Sequence, residues 1–547
     1  MSVFAKTICF IIGINFCVNI SFSQSYCTFS IPVNSSVIDG VAIQPGDTIC
    51  IESGTRDFLR FNNLTGTADL PIIIVNAGGQ VIIDTDHYYG VKFDRCKFIK
   101  FLGTNSSTDF YGIKIRRVGN GAGISVDNLS TNVEIANIEI ANTAIGGIYA
   151  KTDPDCSFIA TREKFTMFDI KIHDCYLHDI QDEGMYIGSS KFTGQHLNDC
   201  DTTVLPHVID GVKVYNNIVE NTGWDGIQVS SAPVNCEIYG NIIRHDSWRE
   251  TTNQMSGILI GGGSRCDCHN NKIFDGKGDG IDVFGSNTMK FYNNVIVRPG
   301  KTYFPNDPSF QRHGIFFGNP PDESFASWII VFNTIIQPKT NGLKVFNNNT
   351  SGNFIYNNVI CEPGAYSSQG DLAYFNSNIQ PNQYTMSDNY FVNEHLSPKF
   401  VGFSSDNFDL LPNSPLINVA INLGNPIFGL DIENRPRPHN AGYDIGAFEC
   451  QDVNANIQTI QDRITVNISP NPVHGILSGL VHFHGLENVD IKIQNIEGHY
   501  ITPEIITENL PDGFVFSFDT SRFKNGLYFI KIQSNQGSFS TRFIVYK

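Results

Sequence analysis

The stretch that decides the fold is Val212-Lys-Val-Tyr-Asn-Asn-Ile218, followed by Gly226-Ile-Gln-Val229. It joins a short apolar alternation, a pair of Asn residues and the tetrapeptide Gly-Ile-x-Val. Further copies return at intervals of roughly 23 to 40 residues: Ile238-Tyr-Gly-Asn241 with Gly257-Ile-Leu-Ile260, Cys268-His-Asn-Asn271 with Gly280-Ile-Asp-Val283, Phe291-Tyr-Asn-Asn294 with Gly314-Ile-Phe-Phe317, Val331-Phe-Asn-Thr334 with Gly342-Leu-Lys-Val345, and Tyr356-Asn-Asn358. Short alternating strands that repeat between Asn/Gly turns predict a solenoid.

The repeat also predicts where its side chains point. In Gly-Ile-x-Val, strand alternation places the Ile and Val inward and x toward solvent. One Asn per repeat takes the same position, which predicts a stacked ladder of buried amides with a structural role: Asn217, Asn241, Asn271, Asn294 and Asn358. With 49 Gly, 17% charged residues and no long amphipathic helical pattern, the composition indicates an all-β chain.

The N-terminus has the pattern of a secretory leader. Lys6 precedes a mostly apolar run over residues 8–20, and the small residues Ser21 and Ser23 suit cleavage after Ser23. We therefore predict a signal peptide over residues 1–23. Because this run is short for a membrane span and no other segment is apolar enough, we expect no transmembrane segment in the mature chain.

Two stretches resemble a known architecture. Gln44-Pro-Gly-Asp-Thr-Ile-Cys-Ile51 and Pro71-Ile-Ile-Ile-Val75 resemble the first coils of secreted right-handed parallel β-helix proteins. Pro412-Asn-Ser-Pro415 and Asp444-Ile-Gly-Ala-Phe-Glu449 resemble the terminal motif of many bacterial extracellular β-helix proteins. The resemblance implies a right-handed parallel β-helix with three parts: a cap with the first coils over 24–95, repeats over 96–365, and last coils with a closing motif over 366–450.

A separate module follows a polar linker over residues 451–462. Ile468-Ser-Pro-Asn-Pro472, Gly526-Leu-Tyr-Phe-Ile-Lys-Ile532 and Arg542-Phe-Ile-Val-Tyr-Lys547 resemble the type A sorting domain of the type IX secretion system. The resemblance implies a small C-terminal β-sandwich over 463–547 in a Bacteroidetes-type cargo, with the secretion machinery as a partner. The protein is then expected to be secreted, and to be extracellular or on the outer-membrane surface.

The cysteines predict disulfide bonds. Of 13 Cys, Cys9 and Cys17 lie in the leader, and the eleven that remain leave at least one unpaired. We predict a bond between Cys27 and Cys50, which lie about one coil apart. Equivalent positions in successive repeats make Cys236 and Cys266 a second candidate pair.

Equivalent positions of successive coils should form columns spaced about 4.8 Å apart. The column before the Gly contains Glu183, Asp225, Ser256, Asp279, His313 and Asn341, and the x column contains Tyr186, Gln228, Leu259, Asp282, Phe316 and Lys344. Titratable groups therefore follow one sheet edge. Asp and Asn before Gly are also ordinary turn residues, so a structural role stays open for each.

One segment of these columns predicts a site. Asp279 and His313 occupy the same position in neighbouring coils, so we expect their side chains to meet and the pKa of His313 to rise. With the nearby Arg312 and Lys277 they form the predicted catalytic set. The predicted substrate-binding set adds side chains from two long loops and the columns: Trp224, Asp225, Trp248, Arg249, Lys301, Tyr303 and Lys344.

Charge indicates the ligand class. Residues 241–313 hold nine Lys/Arg against seven Asp/Glu, whereas the whole chain has a net charge of -17. An anionic polysaccharide would favour this segment, and the acidic chain is not expected to bind nucleic acid. We expect a monomer.

Three functions fit these residues. A lyase acting on a uronic-acid polysaccharide needs a cation beside the sugar carboxylate, which Arg312 or a Ca²⁺ ion at Asp279 and Asp282 would supply. It also needs a base and an acid, for which His313, Lys277 and Tyr303 are the candidates. The architecture resembles that of the chondroitinase B and alginate lyase family. A polygalacturonase-like glycoside hydrolase, with paired carboxylates, and a non-catalytic glycan-binding adhesin are the alternatives.

Overall fold

The computed structural model describes residues 27–104, 110–364, 374–439, 441–451, 464–469, 473–483, 490–495, 500–510, 513–534 and 537–545. The predicted signal peptide and nearly all of the predicted linker lie outside this range. Within it the chain forms strands and contains no α-helix. Five short 3₁₀ turns interrupt the strands: Gly40–Ala42, Asn198–Cys200, Pro381–Gln383, Phe403–Ser405 and Pro426–Phe428.

Parallel strands stack into three long sheets. Sheet 1 contains the Gly-Ile-x-Val copies in twelve strands: Val37–Asp39, Leu59–Asn62, Tyr89–Asp94, Ala122–Asp127, Ile148–Ala150, Met185–Ile187, Ile227–Val229, Ser256–Ile260, Asp279–Val283, Ile315–Phe317, Leu343–Val345 and Phe375–Ser377. Sheet 2 contains Lys97–Leu102, Thr131–Ala136, Thr166–His173, Val208–Tyr215, Val234–Tyr239, Cys266–His269, Asn287–Tyr292, Ala326–Val331, Asn353–Tyr356 and Tyr384–Ser387.

Sheet 3 completes each coil. It contains Ile113–Val118, Ile138–Thr143, Tyr176–Ile180, Ile218–Thr222, Ile242–Arg244, Lys272–Phe274, Val295–Val297, Thr334–Ile336, Val359–Cys361 and Tyr390–Val392. Sheets 2 and 3 join at the N-terminal end through Phe29–Ile31, Thr48–Arg56 and the long strand Ile72–Thr85, which pairs with both. The chain passes through sheets 1, 2 and 3 in turn, so the all-β prediction of a parallel β-helix is confirmed.

The register between coils confirms the predicted columns. Gln228 pairs with Tyr186 on one side and Leu259 on the other, and Asp282 pairs with Leu259 and Phe316. The Ile and Val of the tetrapeptide are fully buried, as Ile227 and Val229 illustrate. The solenoid interior is therefore one continuous column of Ile, Val, Leu and Phe side chains.

The Gly of each tetrapeptide is required because successive coils approach closely. A Cβ on Gly280 would lie 2.5 Å from the carbonyl oxygen of Gly314, and one on Gly226 would lie 2.6 Å from that of Gly257. Real Cβ atoms do not come this near to backbone oxygen. Gly recurs at this position because any side chain would push the next coil away.

The predicted Asn ladder is present and longer than the sequence suggested. Each backbone N–H and side-chain Nδ2 donates to the Oδ1 of the Asn one coil further on, at 2.9–3.1 Å. Asn333 and Asn389 extend the series beyond the five predicted positions. Because these amides satisfy one another, the turn between sheets 2 and 3 is fixed in each coil from Asn217 to Asn389.

The closing segment folds back along the outside of the coils. The Asn357 side chain bonds to Ile421, Asn293 donates to the carbonyl oxygen of Leu430, and Asn270 donates to that of Asp431. We call residues 420–449 the strap. It runs across the outside of the coils from the C-terminal coils toward the N-terminal ones. Hairpin strands Phe400–Gly402 and Asn407–Leu410 precede it.

A buried ion pair explains the charges of the closing motif. The Arg437 guanidinium donates to the Glu449 carboxylate at 3.1 Å, to Asn293 Oδ1 at 3.0 Å and to the Gly446 carbonyl at 3.0 Å. Its plane also lies 4.2 Å from the Phe332 ring centre. The motif therefore fastens the strap to the coils.

The C-terminal module consists of two four-stranded antiparallel sheets. One contains Ile464–Ser469, Ile476–Phe483, Gly513–Asp519 and Ile506–Leu510, and the other contains Tyr500–Ile501, Asp490–Asn495, Gly526–Ser534 and Gly537–Val545. They share a core that includes Phe516, Ile530 and Phe543. The prediction of a small β-sandwich is confirmed.

Three disulfide bonds link described residues. Cys27–Cys50 and Cys236–Cys266 are the two candidate pairs from the sequence, and Cys156–Cys200 joins two loops beside sheet 1. The Cys156–Cys200 loops include the small hairpin Gln195–Leu197 and Thr202–Val204. The disulfide bonds differ in solvent exposure, since Cys156 is exposed whereas Cys236 and Cys266 are buried.

Candidate functional site

A cleft of about 410 Å³ opens at the edge of sheet 1 beside the loop over residues 298–312. It is lined by Asp279, Tyr303, Ser309, Phe310, Gln311, Arg312, His313, Phe316 and Lys344. We call it the His313 cleft. Five residues that the sequence predicts for the site meet here, namely Asp279, Tyr303, Arg312, His313 and Lys344.

His313 is held in one tautomer by Thr340. The Thr340 hydroxyl donates its hydrogen to the Arg312 carbonyl oxygen at 2.7 Å, and it lies 3.0 Å from His313 Nδ1. A hydroxyl has a single hydrogen, so Nδ1–H of His313 must be the donor to the Thr340 oxygen. The proton therefore sits on Nδ1, and Nε2 keeps its lone pair. Within the described residues, Nε2 makes no hydrogen bond.

The predicted rise in the His313 pKa is wrong. Asp279 Oδ1 accepts a hydrogen bond from the His313 backbone N–H, so the carboxylate does not hold the imidazole. Burial lowers the His313 pKa well below its usual value, and the positive charges of Lys344 and Arg312 lower it further. The ring is consequently neutral near pH 7.

Two cations flank the imidazole. Arg312 Nη1 lies 3.6 Å from Asp279 Oδ2, and its guanidinium lies 4.7 Å from the centre of the Tyr303 ring. Lys344 Nζ donates to Gln311 Oε1 at 2.7 Å, and burial lowers its pKa. Arg312 Nε is buried and has no hydrogen-bond partner within the described residues. The cleft thus presents positive charge beside the imidazole.

The loop over residues 298–312 is anchored at its base and in its middle. Arg298 makes paired hydrogen bonds of 2.6–2.8 Å to the carboxylates of Asp275 and Asp406. Lys339 Nζ donates to the backbone oxygens of Tyr303 and Phe304. These bonds fix the wall of the His313 cleft although the loop has no regular secondary structure.

Carboxyl groups accumulate on the N-terminal side of the cleft. Burial raises the pKa of Asp279 to about 6 and that of Asp246 to about 7, and it raises the pKa values of Asp225 and Asp282 well above the usual range. The negative charges of Asp279 and Asp225 raise the pKa of Asp282 further. Along the same column, burial raises the pKa of Glu183 to about 7.

Asp246→Asn should make the protein less sensitive to pH. Between the ordinary Asp value of 3.8 and about 7, the folded protein holds a proton on Asp246 that the unfolded chain releases. This contribution to stability is therefore lost as the pH rises toward 7. From pH 5.5 to 8, we expect the wild type to lose about 2 kcal/mol of unfolding free energy relative to Asp246→Asn, measured by urea denaturation. Parallel pH profiles for the two proteins would contradict this.

Six of the predicted catalytic and substrate-binding residues lie outside the His313 cleft, as does the predicted metal ligand Asp282. Lys277 pairs with Glu250, Arg249 pairs with Asp182 at 2.8 Å, and Lys301 is exposed on the loop. Trp224 is half-buried, and Trp248 lines a different cleft. Asp225 is fully buried, so the prediction that it contacts substrate is wrong for this structure: its Oδ1 accepts a hydrogen bond from Ser256 at 2.7 Å.

Sequence reasoning missed three residues of the site. Thr340, which sets the His313 tautomer, and Gln311, which holds Lys344, are common residue types with no distinctive pattern. Phe310 lies in a loop outside the repeat and stacks on Phe304 with ring centres 4.1 Å apart. The column itself could have indicated Thr340, because it directly precedes Asn341 of the pre-Gly column.

The carboxylates do not form a multidentate metal site. Among the described residues, no group of three or more His, Cys, Asp or Glu side chains is arranged to hold a metal ion. The Asp279 carboxylate is engaged by the His313 N–H and faces Arg312. Asp282 Oδ1 is buried and has no hydrogen-bond partner in the part of the chain that the structure describes. Calcium at Asp279 and Asp282 would therefore need ligands from a substrate or from water.

Solved structures that resemble this chain share little sequence with it. The crystal structure of pectate lyase Pel9A is 16% identical, with a TM-score of 0.38 over 75% of this chain and 89% of that one. The catalytic domain of Agl-KA is 15% identical, with a TM-score of 0.34 over 64% and 63%. Tailspike protein 2 of Escherichia coli O157:H7 bacteriophage CAB120 is 12% identical, with a TM-score of 0.30 over 91% and 64%. No curated protein matches the sequence significantly.

Two family profiles match parts of the chain. The profile of the right handed beta helix region matches residues 207–395, and that of the secretion system C-terminal sorting domain matches residues 467–546. Among the described residues, no helix has the length and apolarity needed to cross a membrane. The chain is therefore a right-handed β-helix protein with a C-terminal sorting domain of the type IX secretion system, which directs it to the cell surface or the medium.

Proposed function

We propose that this protein is a secreted polysaccharide lyase that cleaves a uronic-acid-containing chain by β-elimination at the His313 cleft. The observation that carries the proposal is the state of His313. The imidazole is neutral, its tautomer leaves Nε2 unprotonated, and two cations stand beside it. A base next to positive charge is what abstraction of a proton α to a carboxylate requires.

Each cleft residue has a role in this reaction. Arg312 neutralises the substrate carboxylate, which makes the adjacent C5 proton more acidic. His313 Nε2 takes that proton, the C4–O bond breaks, and a C4=C5 double bond forms. Lys344 donates a proton to the leaving oxygen, and its lowered pKa makes it a better donor than an ordinary lysine. Tyr303 supplies a ring edge at the wall of the cleft.

A glycoside hydrolase is the second candidate, and a specific observation favours it. Asp279 and Asp282 lie on one strand and both have raised pKa values, so one could stay protonated while the other is ionised. Inverting and retaining hydrolysis both need such a pair. Asp279 also faces Arg312, which suits a carboxylate that is ionised.

The two reactions differ in their products. The purified full-length chain is incubated with pectate, alginate, hyaluronan and chondroitin sulfate, with and without EDTA. Growth of ultraviolet absorbance from an unsaturated product supports the lyase. New reducing ends without absorbance support the hydrolase, and retention on a polymer with neither signal supports a glycan-binding adhesin. Loss of activity in EDTA would indicate that the reaction requires a divalent cation bound at Asp279 and Asp282.

A further inference from the structure

A second cleft lies on another corner of the solenoid, where the strands of sheet 3 end. It has a volume of about 560 Å³, and Trp248 forms one wall. Its other side chains include Arg117, Asn142, Asp179, Gln181, Asn221 and His245. None of these residues lines the His313 cleft. We call this the Trp248 cleft.

Trp248 is exposed on a loop whose backbone is fixed by hydrogen bonds. Its side chain is 42% exposed. Three consecutive backbone N–H groups fix its loop: Ser247 donates to the Trp224 carbonyl at 3.0 Å, Trp248 to that of Thr222 at 3.2 Å, and Arg249 to that of Gly223 at 3.0 Å. Exposing a large indole forgoes the free energy of burying it. The exposed indole therefore stands on a fixed backbone inside a cleft, where it can serve as a flat platform for a ligand ring.

The surroundings of Trp248 suit a sugar. A pyranose ring has an apolar C–H face and a rim of hydroxyl groups. The indole offers a flat apolar face, and Asn142, Asn221 and Gln181 line the cleft with side-chain amides. Asn142 Nδ2 donates to the Arg116 carbonyl and Asn221 Nδ2 to Asp179 Oδ1, which leaves the amide oxygens and the second hydrogen of each amide for sugar hydroxyls. The cleft crosses five neighbouring strands of sheet 3, from Ile113–Val118 to Ile242–Arg244, which is about 19 Å at the usual strand spacing. A chain of several sugars would fit along it.

Charge indicates a neutral glycan. The one guanidinium among the described residues that line the cleft, Arg117, is already paired with Asp84 at 2.9 Å and Asp86 at 2.6 Å. Asp179 contributes a negative charge, and its Oδ2 lies 2.7 Å from His178 Nδ1. The two clefts thus differ in charge. Arg312 and Lys344 make the His313 cleft positive, whereas the Trp248 cleft has no excess of positive over negative side chains.

We propose that the Trp248 cleft is a second, non-catalytic site that binds a neutral polysaccharide by stacking a sugar ring on the exposed indole. It would keep the protein on a neutral polymer while the His313 cleft acts on an anionic one. This binding does not depend on any reaction at His313, so it can be tested whether or not the protein is a lyase.

The test is affinity electrophoresis of the full-length protein through gels that contain xylan, mannan, β-glucan or galactan, with pectate and alginate gels alongside. The His313→Ala variant is used to prevent turnover. We expect retardation on at least one neutral polymer. Adding Trp248→Ala should weaken this binding about tenfold or more, and Trp248→Phe should restore part of it.

Phe168→Ala is the matched control, because Phe168 is 44% exposed and lies on sheet 2, outside both clefts. It should leave the retardation unchanged. Tryptophan fluorescence gives a second readout: of the three Trp residues, Trp328 is fully buried and Trp224 half-buried. The bound polymer should protect Trp248 from acrylamide quenching. Retardation on anionic polymers alone, or equal retardation of Trp248→Ala, would overturn the proposal.

Discussion

His313→Ala should reduce β-elimination by about 10²–10⁴-fold, the usual contribution of a general base. The variant removes Nε2, which the Thr340 hydrogen bond leaves as the unprotonated nitrogen beside Arg312 and Lys344. We expect kcat to fall with little change in KM, because Arg312 still binds the substrate carboxylate. The measurement is the initial rate of unsaturated-product absorbance on the polymer identified in the panel.

His196→Ala is the control, since this histidine is exposed on the hairpin before strand Val208–Tyr215 and lines neither cleft. It should keep full activity. Thr340→Val should lower kcat by a smaller factor, about tenfold, because the imidazole is then free to move its proton to Nε2. An active His313→Ala protein would remove His313 from the mechanism, whereas inactivity of wild type toward every polymer would refute the lyase itself.

Asn271→Ala should destabilise the β-helix by about 2–6 kcal/mol, which is 1–3 kcal/mol for each of two buried donors left without an acceptor. Those donors are the backbone N–H of Asn241 and one of its two Nδ2–H groups, both of which donate to Asn271 Oδ1, whereas the other Nδ2–H donates to the Val214 carbonyl. The cavity cannot admit water easily, because Asn241, Asn271 and Asn294 are fully buried. Urea denaturation followed by far-ultraviolet circular dichroism measures the change.

Two other positions test the cause of this loss. Asn389 ends the ladder and is only half-buried, so Asn389→Ala should cost less than Asn271→Ala. Asn382 is exposed in the turn Pro381–Gln383, and its replacement by Ala should change stability by less than about 0.5 kcal/mol. Equal losses at Asn271 and Asn382 would show that the amide stack contributes nothing special.

The fold could be predicted because its rule is repeated many times. The repeats share the same set of residues: a Gly packed against the carbonyl of the next coil, two inward apolar residues and an Asn of the ladder. Every further copy in the sequence makes the prediction of the fold more secure. The turn position of Asn333 was visible in Val331-Phe-Asn-Thr334, yet its place in the ladder follows only from register. The strap could not be foreseen, since its contacts to Asn270 and Asn293 join residues more than 130 positions apart.

The site could be predicted only in part. The pre-Gly column placed Asp279 next to His313, because the coil spacing is regular. It could not show that the Asp279 carboxylate accepts a hydrogen bond from the His313 backbone N–H, or that the His313 imidazole is hydrogen-bonded to Thr340. The loops over 245–255 and 298–312 do not follow the repeat, so the sequence does not predict their course. They lead to two different clefts, which is why Trp248 and Tyr303 do not meet.

The strap has a consequence for the order in which the protein assembles. Arg437 and Asp431 lie after every coil in the chain, but they fasten turns at Asn293 and Asn270 that are made much earlier. The coils must therefore form, and hold together through their own stacking, before they can be locked. Until the strap is in place, the coils have only the contacts between their own strands, so they unwind more easily than the coils of the finished molecule.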